Sequence, residues 1–309
     1  MRSNRNATIE IILHVDGESP ERVEDCLASL RDQDFTDFGV LVVDDGSSKD
    51  TGKILKDACS MHGADCIRSP IRRGFAESVR RTCGVIVNTC CLVVPVSPSD
   101  GPFDRGFTKR IYESHMKGAR VTFHHGIPRS FDFALHDRCD EILSGRMEPP
   151  EVESLAPDFT SPGVVPPWAF PRIVEDGDIV MIRHGHRDLK ALSDCGMFQA
   201  EMFGGCMPRF DHIYSSPVKR VVDTSIGIGG LHGTSVEILD ELSEDRFGYM
   251  DETEIVGALI ESIQPSDGIS LYVTHDGIVR RLEQIIGTPY THFIPYNGGL
   301  LLHGYLIED

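Results

Sequence analysis

The sequence predicts two three-layer α/β domains, each a mostly parallel sheet with helices on both faces. Three observations predict it. Apolar strand-like runs alternate with amphipathic helical stretches through the first half, four consecutive apolar residues at 179–182 read as a strand buried on both faces in the second half, and a proline-rich stretch separates the two. With 309 residues and 40% hydrophobic content, the chain has room for two cores of ordinary size.

The elements follow in order. Residues 8–14 read as a strand, and Ser19-Pro20 signals a helix start with proline at its first position. Val23, Leu27 and Leu30 fall on one face of that helix. The buried strand from Gly39 to Val43 runs into an acidic turn, Asp44-Asp45-Gly46-Ser47-Ser48. Asp50 and Thr51 are expected to cap the next helix, whose apolar face is Ile54, Leu55 and Ala58. A short strand around Cys66 and Ile67, a helix over 75–82 and a strand over 91–96 complete the β/α pattern. A helix at 107–117, a strand at 120–124 and a helix at 133–143 follow. Adjacent histidines on a strand point to opposite faces, so His124 and His125 make a poor metal pair with Asp132.

Seven prolines, Pro149, Pro150, Pro157, Pro162, Pro166, Pro167 and Pro171, then predict an extended linker. The expected domains are therefore 1–146 and 176–309, with a linker at 147–175 whose end Trp168 and Phe170 are suited to pin to a domain surface.

In the second half, Ile179 to Ile182 are four apolar residues in a row, which suits a strand buried on both faces. The chain breaks at Arg183-His184-Gly185, where glycine allows a sharp turn and close approach to a ligand, so His184 projects from the carboxyl edge of a parallel sheet.

A formal charge of −18 excludes nucleic acid or an anionic membrane as the main partner, because both need a basic surface. A phosphate pocket must then be a local cationic island. No stretch is long and apolar enough to span a bilayer, and the amino-terminal residues carry no apolar core of a signal peptide. The nine cysteines are scattered without Cys-x-x-Cys pairs, and Cys90-Cys91 lies in an apolar run. Reduced thiols in a cytoplasmic protein are expected. Nothing in the sequence specifies an oligomeric state.

Ser29-Leu30 with Gln33, the turn Val42-Val43-Asp44-Asp45-Gly46-Ser47-Ser48 with Asp50-Thr51, and Gly74-Phe75-Ala76 followed by Arg80 or Arg81 resemble the nucleotide-binding half of family 2 glycosyltransferases. The resemblance implies a truncated GT-A-like (Rossmann-like) domain in which Asp44 or Asp45 accepts hydrogen bonds from the base or ribose of a nucleotide sugar. Taken without the resemblance, the same turn reads as an Asx-type turn satisfying its own backbone. The family's metal-binding Asp-x-Asp is reduced here to Asp100 within Val96-Ser97-Pro98-Ser99-Asp100, so Mg or Mn at this domain has a diminished ligand set and the domain reads as degenerate.

Arg183-His184-Gly185-His186-Arg187, Leu192-Ser193 with Gly196 and Gln199-Ala200, Ser215-Ser216-Pro217 with Arg220, and Thr274-His275-Asp276-Gly277 resemble, in that order, the histidine phosphatase superfamily. The resemblance implies a phosphoglycerate mutase-like domain in which neutral His184 attacks phosphorus to form a phosphohistidine that water hydrolyses. Arg183 and Arg220 match the family's two pocket arginines and His275 its second histidine. Arg187 matches the additional arginine of acid-phosphatase-like members, with Gly185 and Ser193 also on the substrate side; Asp188 and His186 are expected at the periphery. Guanidinium forks suit the charge that develops on a transferring phosphoryl group. Glu241 resembles the family's proton donor, with Asp240 and Glu244 as the neighbouring choices. No cofactor is needed for this chemistry.

A mutase needs a closing segment to keep water from its intermediate, and the sequence shows none after the strand expected at 300–307, which favours a phosphatase. The expected function is a phosphomonoester hydrolase for a sugar or other small-molecule phosphate. A bifunctional glycosyltransferase-phosphatase, a phosphohistidine protein phosphatase and a non-catalytic binding protein stand as alternatives.

Overall fold

The computed structural model describes residues 7–86, 91–124, 127–144, 164–243, 257, 263, 267–286 and 294–302. The chain forms two compact units, Met1–Leu155 and Ala156–Asp309, both mixed α/β.

The first unit runs β1 (Ile9–Val15), α1 (Pro20–Arg31), β2 (Phe38–Asp45), α2 (Lys49–His62), β3 (Asp65–Ser69), α3 (Phe75–Cys83), β4 (Leu92–Val96), α4 (Phe107–Met116), β5 (Val121–His124), β6 (Ile127–Asp132) and α5 (Cys139–Leu143). Its sheet has the order β3-β2-β1-β4-β6-β5. The first four strands are parallel, and β6 and β5 add an antiparallel edge. Every residue of β1 is buried, as a central strand covered on both faces requires. One face packs Ile12, Val43 and Val93 against Val79 and Cys83 of α3 and Cys139 and Ile142 of α5.

Sequence and structure differ locally at three places. Ser48, not Asp50 or Thr51, caps α2: its hydroxyl accepts from the Thr51 amide at 3.1 Å, placing Asp50 and Thr51 inside the first turn. Ile54 is exposed, and Leu55, Ala58 and Cys59 form the buried stripe instead. The segment expected as a helix at 133–143 begins as a 3-10 turn, Phe133–Arg138, and β6 before it carries no alternation strong enough to read from sequence. Cys90, His125 and residues 147–163 lie outside the described residues, and nothing is described of the His124 side chain.

The second unit runs β7 (Ile179–Arg183), β8 (Arg187–Asp188), β9 (Ala191–Leu192), α6 (Asp194–Cys206), β10 (His212–Ser215), α7 (Lys219–His232), β11 (Val236–Ile238), β12 (Ser270–Thr274), α8 (Asp276–Ile285) and β13 (Gly299–Leu302). Its sheet has the order β11-β10-β12-β7-β13, all parallel except β13. On one face α8 buries Ile278, Val279 and Leu282 against Ile179, Met181 and Tyr272. Helix α7 packs on β10, β11 and β12, with α6 against it. The end of the proline-rich stretch belongs to this unit: Val165 exchanges backbone hydrogen bonds with Gly299, Trp168 is buried, and Phe170 meets Phe203 edge-on at 5.8 Å.

Candidate active site

The carboxyl ends of β7, β12 and β10 are adjacent in the sheet; β7 and β12 are followed at once by the expected site residues His184 and His275, and β10 by Ser216, which the sequence reading gave no role. This is the edge at which parallel sheets collect ligands. The register pairs Arg183 with Thr274, and the His184 amide donates to the Thr274 carbonyl at 3.0 Å, bringing two histidines 91 positions apart in sequence to a ring separation of 5.5 Å.

His184 is buried. Its Nδ1–H donates to the Gly185 carbonyl at 2.7 Å, so in the neutral ring the lone pair is on Nε2, where Arg220 Nε donates at 3.1 Å. Burial pushes the His184 pKa down to about 2, and the neighbouring Arg183, His275 and Arg220 act in the same direction against the Gly185 bond. The imidazole is therefore neutral with its lone pair on Nε2, the state a nitrogen nucleophile needs.

Arg220, in the first turn of α7, also donates from Nη2 to His275 Nδ1 at 3.1 Å. Because Nδ1 of His275 accepts, its Nε2 carries the proton and donates to Ser216 Oγ at 3.2 Å. Burial lowers the His275 pKa to about 4, aided by Arg220 and opposed by Asp276. One guanidinium thus holds both imidazoles.

Arg183 is fixed from the far end of the chain. Its Nη1 donates to the Ile294 carbonyl at 2.7 Å, its guanidinium carbon lies 4.1 Å from the centre of the Tyr296 ring, and its backbone bonds to Asn297 and Gly298. Nothing in the local sequence around Tyr296 signalled a place at this site; the ring arrives through the antiparallel pairing of β13 with β7.

Gly185 serves packing. A Cβ there would lie 2.6 Å from the Gly196 carbonyl oxygen, and a Cβ at Gly196 would strike the His186 carbonyl oxygen, so the start of α6 is held directly against the turn after β7. Ser193 caps α6, accepting from the Gly196 amide at 3.0 Å; its hydroxyl donates to the His186 carbonyl at 3.0 Å and lies 2.7 Å from His186 Nδ1. Both residues order the loop that carries the His184 turn. Arg187 is exposed on β8, with Nη1 donating to the Leu189 carbonyl at 2.8 Å. Glu241 lies in the 3-10 turn Asp240–Leu242, tied to the end of β12 by Thr274 Oγ1 donating to the Leu242 carbonyl at 2.8 Å. Asp240 shares that turn, while Glu244 lies outside the described residues.

In the first unit the acidic turn is committed to its own scaffold. Asp44 accepts from the Ser47 amide at 3.0 Å and pairs with Arg68 at 3.3 Å. Asp45 accepts from the Arg73 and Gly74 amides at 2.8 to 3.0 Å and lies 3.1 Å from His14. Burial opposes ionisation of Asp45, but these donors together hold its pKa below the usual range. Asp100 closes a capping box, accepting from the Ser97 amide at 2.7 Å. Both aspartates of the turn are buried, and no group of three or more His, Cys, Asp or Glu side chains among the described residues is placed to hold a metal.

Known proteins divide along the same line. Residues 11–83 match the family model "Glycosyl transferase family 2", and residues 179–258 match "Histidine phosphatase superfamily (branch 1)". No curated protein matches the chain. Similar solved structures include phosphoglycerate mutase from Plasmodium falciparum, at 20% identity over 43% of this chain and 86% of that one with a TM-score of 0.31. The protein histidine phosphatase SixA complexed with tungstate aligns at 16% identity over 42% of this chain and 99% of that one, TM-score 0.32. A mannosyltransferase from Pyrobaculum calidifontis in complex with GDP-Man and Mn2+ aligns at 16% identity over 45% of this chain and 48% of that one, TM-score 0.32. These three likenesses are too distant to carry a functional argument. The two family matches occupy separate stretches, the glycosyl transferase match lying in the first unit and the histidine phosphatase match in the second.

Proposed function

We propose that the protein is a phosphomonoester hydrolase whose nucleophile is His184 Nε2. The single observation that carries this reading is the pair of hydrogen bonds on that ring, with Nδ1–H bound to the Gly185 carbonyl and the Nε2 lone pair facing the Arg220 guanidinium. When a phosphate monoester enters, Arg220 Nε transfers its hydrogen bond to a phosphoryl oxygen and frees the lone pair for attack. A bond forms between Nε2 and phosphorus as the bond from phosphorus to the leaving oxygen breaks. Arg183, Arg220, Arg187 and the Nε2–H of His275 balance the charge on the phosphoryl oxygens. For His275 this requires its ring to turn from Ser216. Glu241 supplies the proton to the leaving oxygen and then, as a carboxylate, takes one from the water that hydrolyses the phosphohistidine.

The substrate is a sugar phosphate or another small-molecule phosphate, and no cofactor enters the reaction. The amino-terminal region, proposed as domain 1–146 joined through 147–175 to domain 176–309, is a degenerate nucleotide-sugar-binding relative of glycosyltransferases. The engagement of Asp44, Asp45 and Asp100 by backbone and side-chain donors supports degeneracy over transfer. Eight described cysteines are free, which supports a reducing, cytoplasmic setting, and no helix among the described residues is long and apolar enough to cross a membrane.

The test is phosphate release from p-nitrophenyl phosphate and a panel of sugar, nucleotide and protein-histidine phosphates, with chelator present, for the wild type and His184→Ala. Release that survives chelation and disappears in the variant is expected, with a phosphohistidine trapped by rapid acid-free quench. Release that persists in His184→Ala refutes the assignment.

A further inference from the structure

We infer that Tyr296, together with His186, walls the leaving-group side of the pocket and selects phosphate esters whose leaving group presents a flat ring face. This inference rests on the phosphatase reading above and names the substrate class for that same site.

The ring of Tyr296 lies between the residues of the His184 turn. Its centroid is 6.0 Å from the His184 ring and 5.2 Å from the His186 ring, and the Arg183 guanidinium stacks on it at 4.1 Å. Tyr296 is half-buried, whereas His184 and Arg183 beside it are buried, so the tyrosine is the more exposed member of the group. His186 meets it edge-on at 73° and is held by Ser193, so the wall has two aromatic members on separate, anchored segments.

The anchoring is rigid from both sides. Asn297, at φ 57°, turns the chain directly after Tyr296, and its amide donates to the Arg183 carbonyl at 2.9 Å while the Arg183 amide donates to the Gly298 carbonyl at 2.9 Å. A preorganised aromatic wall next to a cationic pocket favours a ring over a flexible chain. The ring's flat C–H or π face stacks with little loss of freedom, whereas an alkyl chain must be ordered. The same argument covers an aryl ring and the C–H face of a pyranose.

Benzyl and ethyl phosphate separate this from the phosphatase reading, because both leave as primary alkoxides of similar basicity and differ in the ring. Glucose 6-phosphate is the pyranose arm. We expect the wild type to prefer benzyl over ethyl phosphate in kcat/KM, and Tyr296→Leu, which keeps bulk and loses the flat face, to reduce that preference about three- to tenfold, chiefly through KM. Tyr296→Phe should retain it, and the buried Trp168 emission should match wild type in each variant. A parallel fall for both substrates with the preference unchanged means that Tyr296 acts only by holding Arg183, which overturns the inference but not the phosphatase reading. Wild type that hydrolyses none of the three esters, nor p-nitrophenyl phosphate, overturns both.

Discussion

Lowering the pH from 6.5 to 4.5 should unfold the second unit preferentially, and the magnitude follows from the two buried histidines. His184 and His275 have pKa values of about 2 and about 4 in the folded chain, against 6.5 for an ordinary histidine. A depressed histidine contributes stability above its unfolded value and loses it as pH falls, because the unfolded chain takes up a proton that the folded one refuses. Over these two pH units each histidine costs roughly 2 kcal/mol, so the pair removes roughly 4 to 5 kcal/mol, comparable with the whole stability of many domains. The single tryptophan, Trp168, is buried in this unit and reports on it alone. Urea unfolding followed by its emission should show a midpoint lower by about 2 M at pH 4.5 than at 6.5, if the slope is about 2 kcal/mol per M. His184→Gln and His275→Gln should each remove about half of that dependence. A midpoint that moves by less than about 0.3 M, or a double variant as acid-labile as wild type, would refute the buried neutral pair.

Other outcomes follow from the same geometry. In the first unit Glu10 has its pKa raised to about 8 by burial and by the nearby Asp37 and Asp65, so the protonated carboxyl stabilises the fold below pH 4.5 and that stability drains as pH rises toward 8. Thermal melting of Glu10→Gln should accordingly lose the wild type's fall in stability between about pH 4.5 and about 8. Arg220→Ala removes the donor to both imidazoles, and kcat/KM for p-nitrophenyl phosphate should fall by about 10²- to 10³-fold. Gly185→Ala must push α6 from the β7 turn; a destabilisation of about 1 to 3 kcal/mol, seen in urea unfolding, checks the close packing. Asp45→Asn weakens the hold on the Arg73 and Gly74 amides, so hydrogen exchange there should speed up.

The sequence by itself determined the two-unit α/β plan and placed Arg183 and His184 at the end of a buried strand. Strand and helix periods are local, and the chemistry-bearing residues sit directly after apolar runs, where a parallel sheet must expose them. Arg183-His184 could be picked out for that reason, whereas His275 and Arg220 were picked out only through the family resemblance. The tertiary structure alone decided what those residues do to one another. Register between β7 and β12 sets the histidine pair, and burial there keeps both rings neutral. Gly185 reads locally as freedom beside a ligand, but the neighbouring helix start makes it a packing residue. The Asp44-Asp45 turn reads as a ligand site, yet Arg68, His14 and the amides of residues 73 and 74 claim its carboxylates, because β3 and the following loop fold over it. Tyr296 carried no local signal; it reaches the pocket only because β13 returns antiparallel to β7, a non-local pairing that no sequence period encodes.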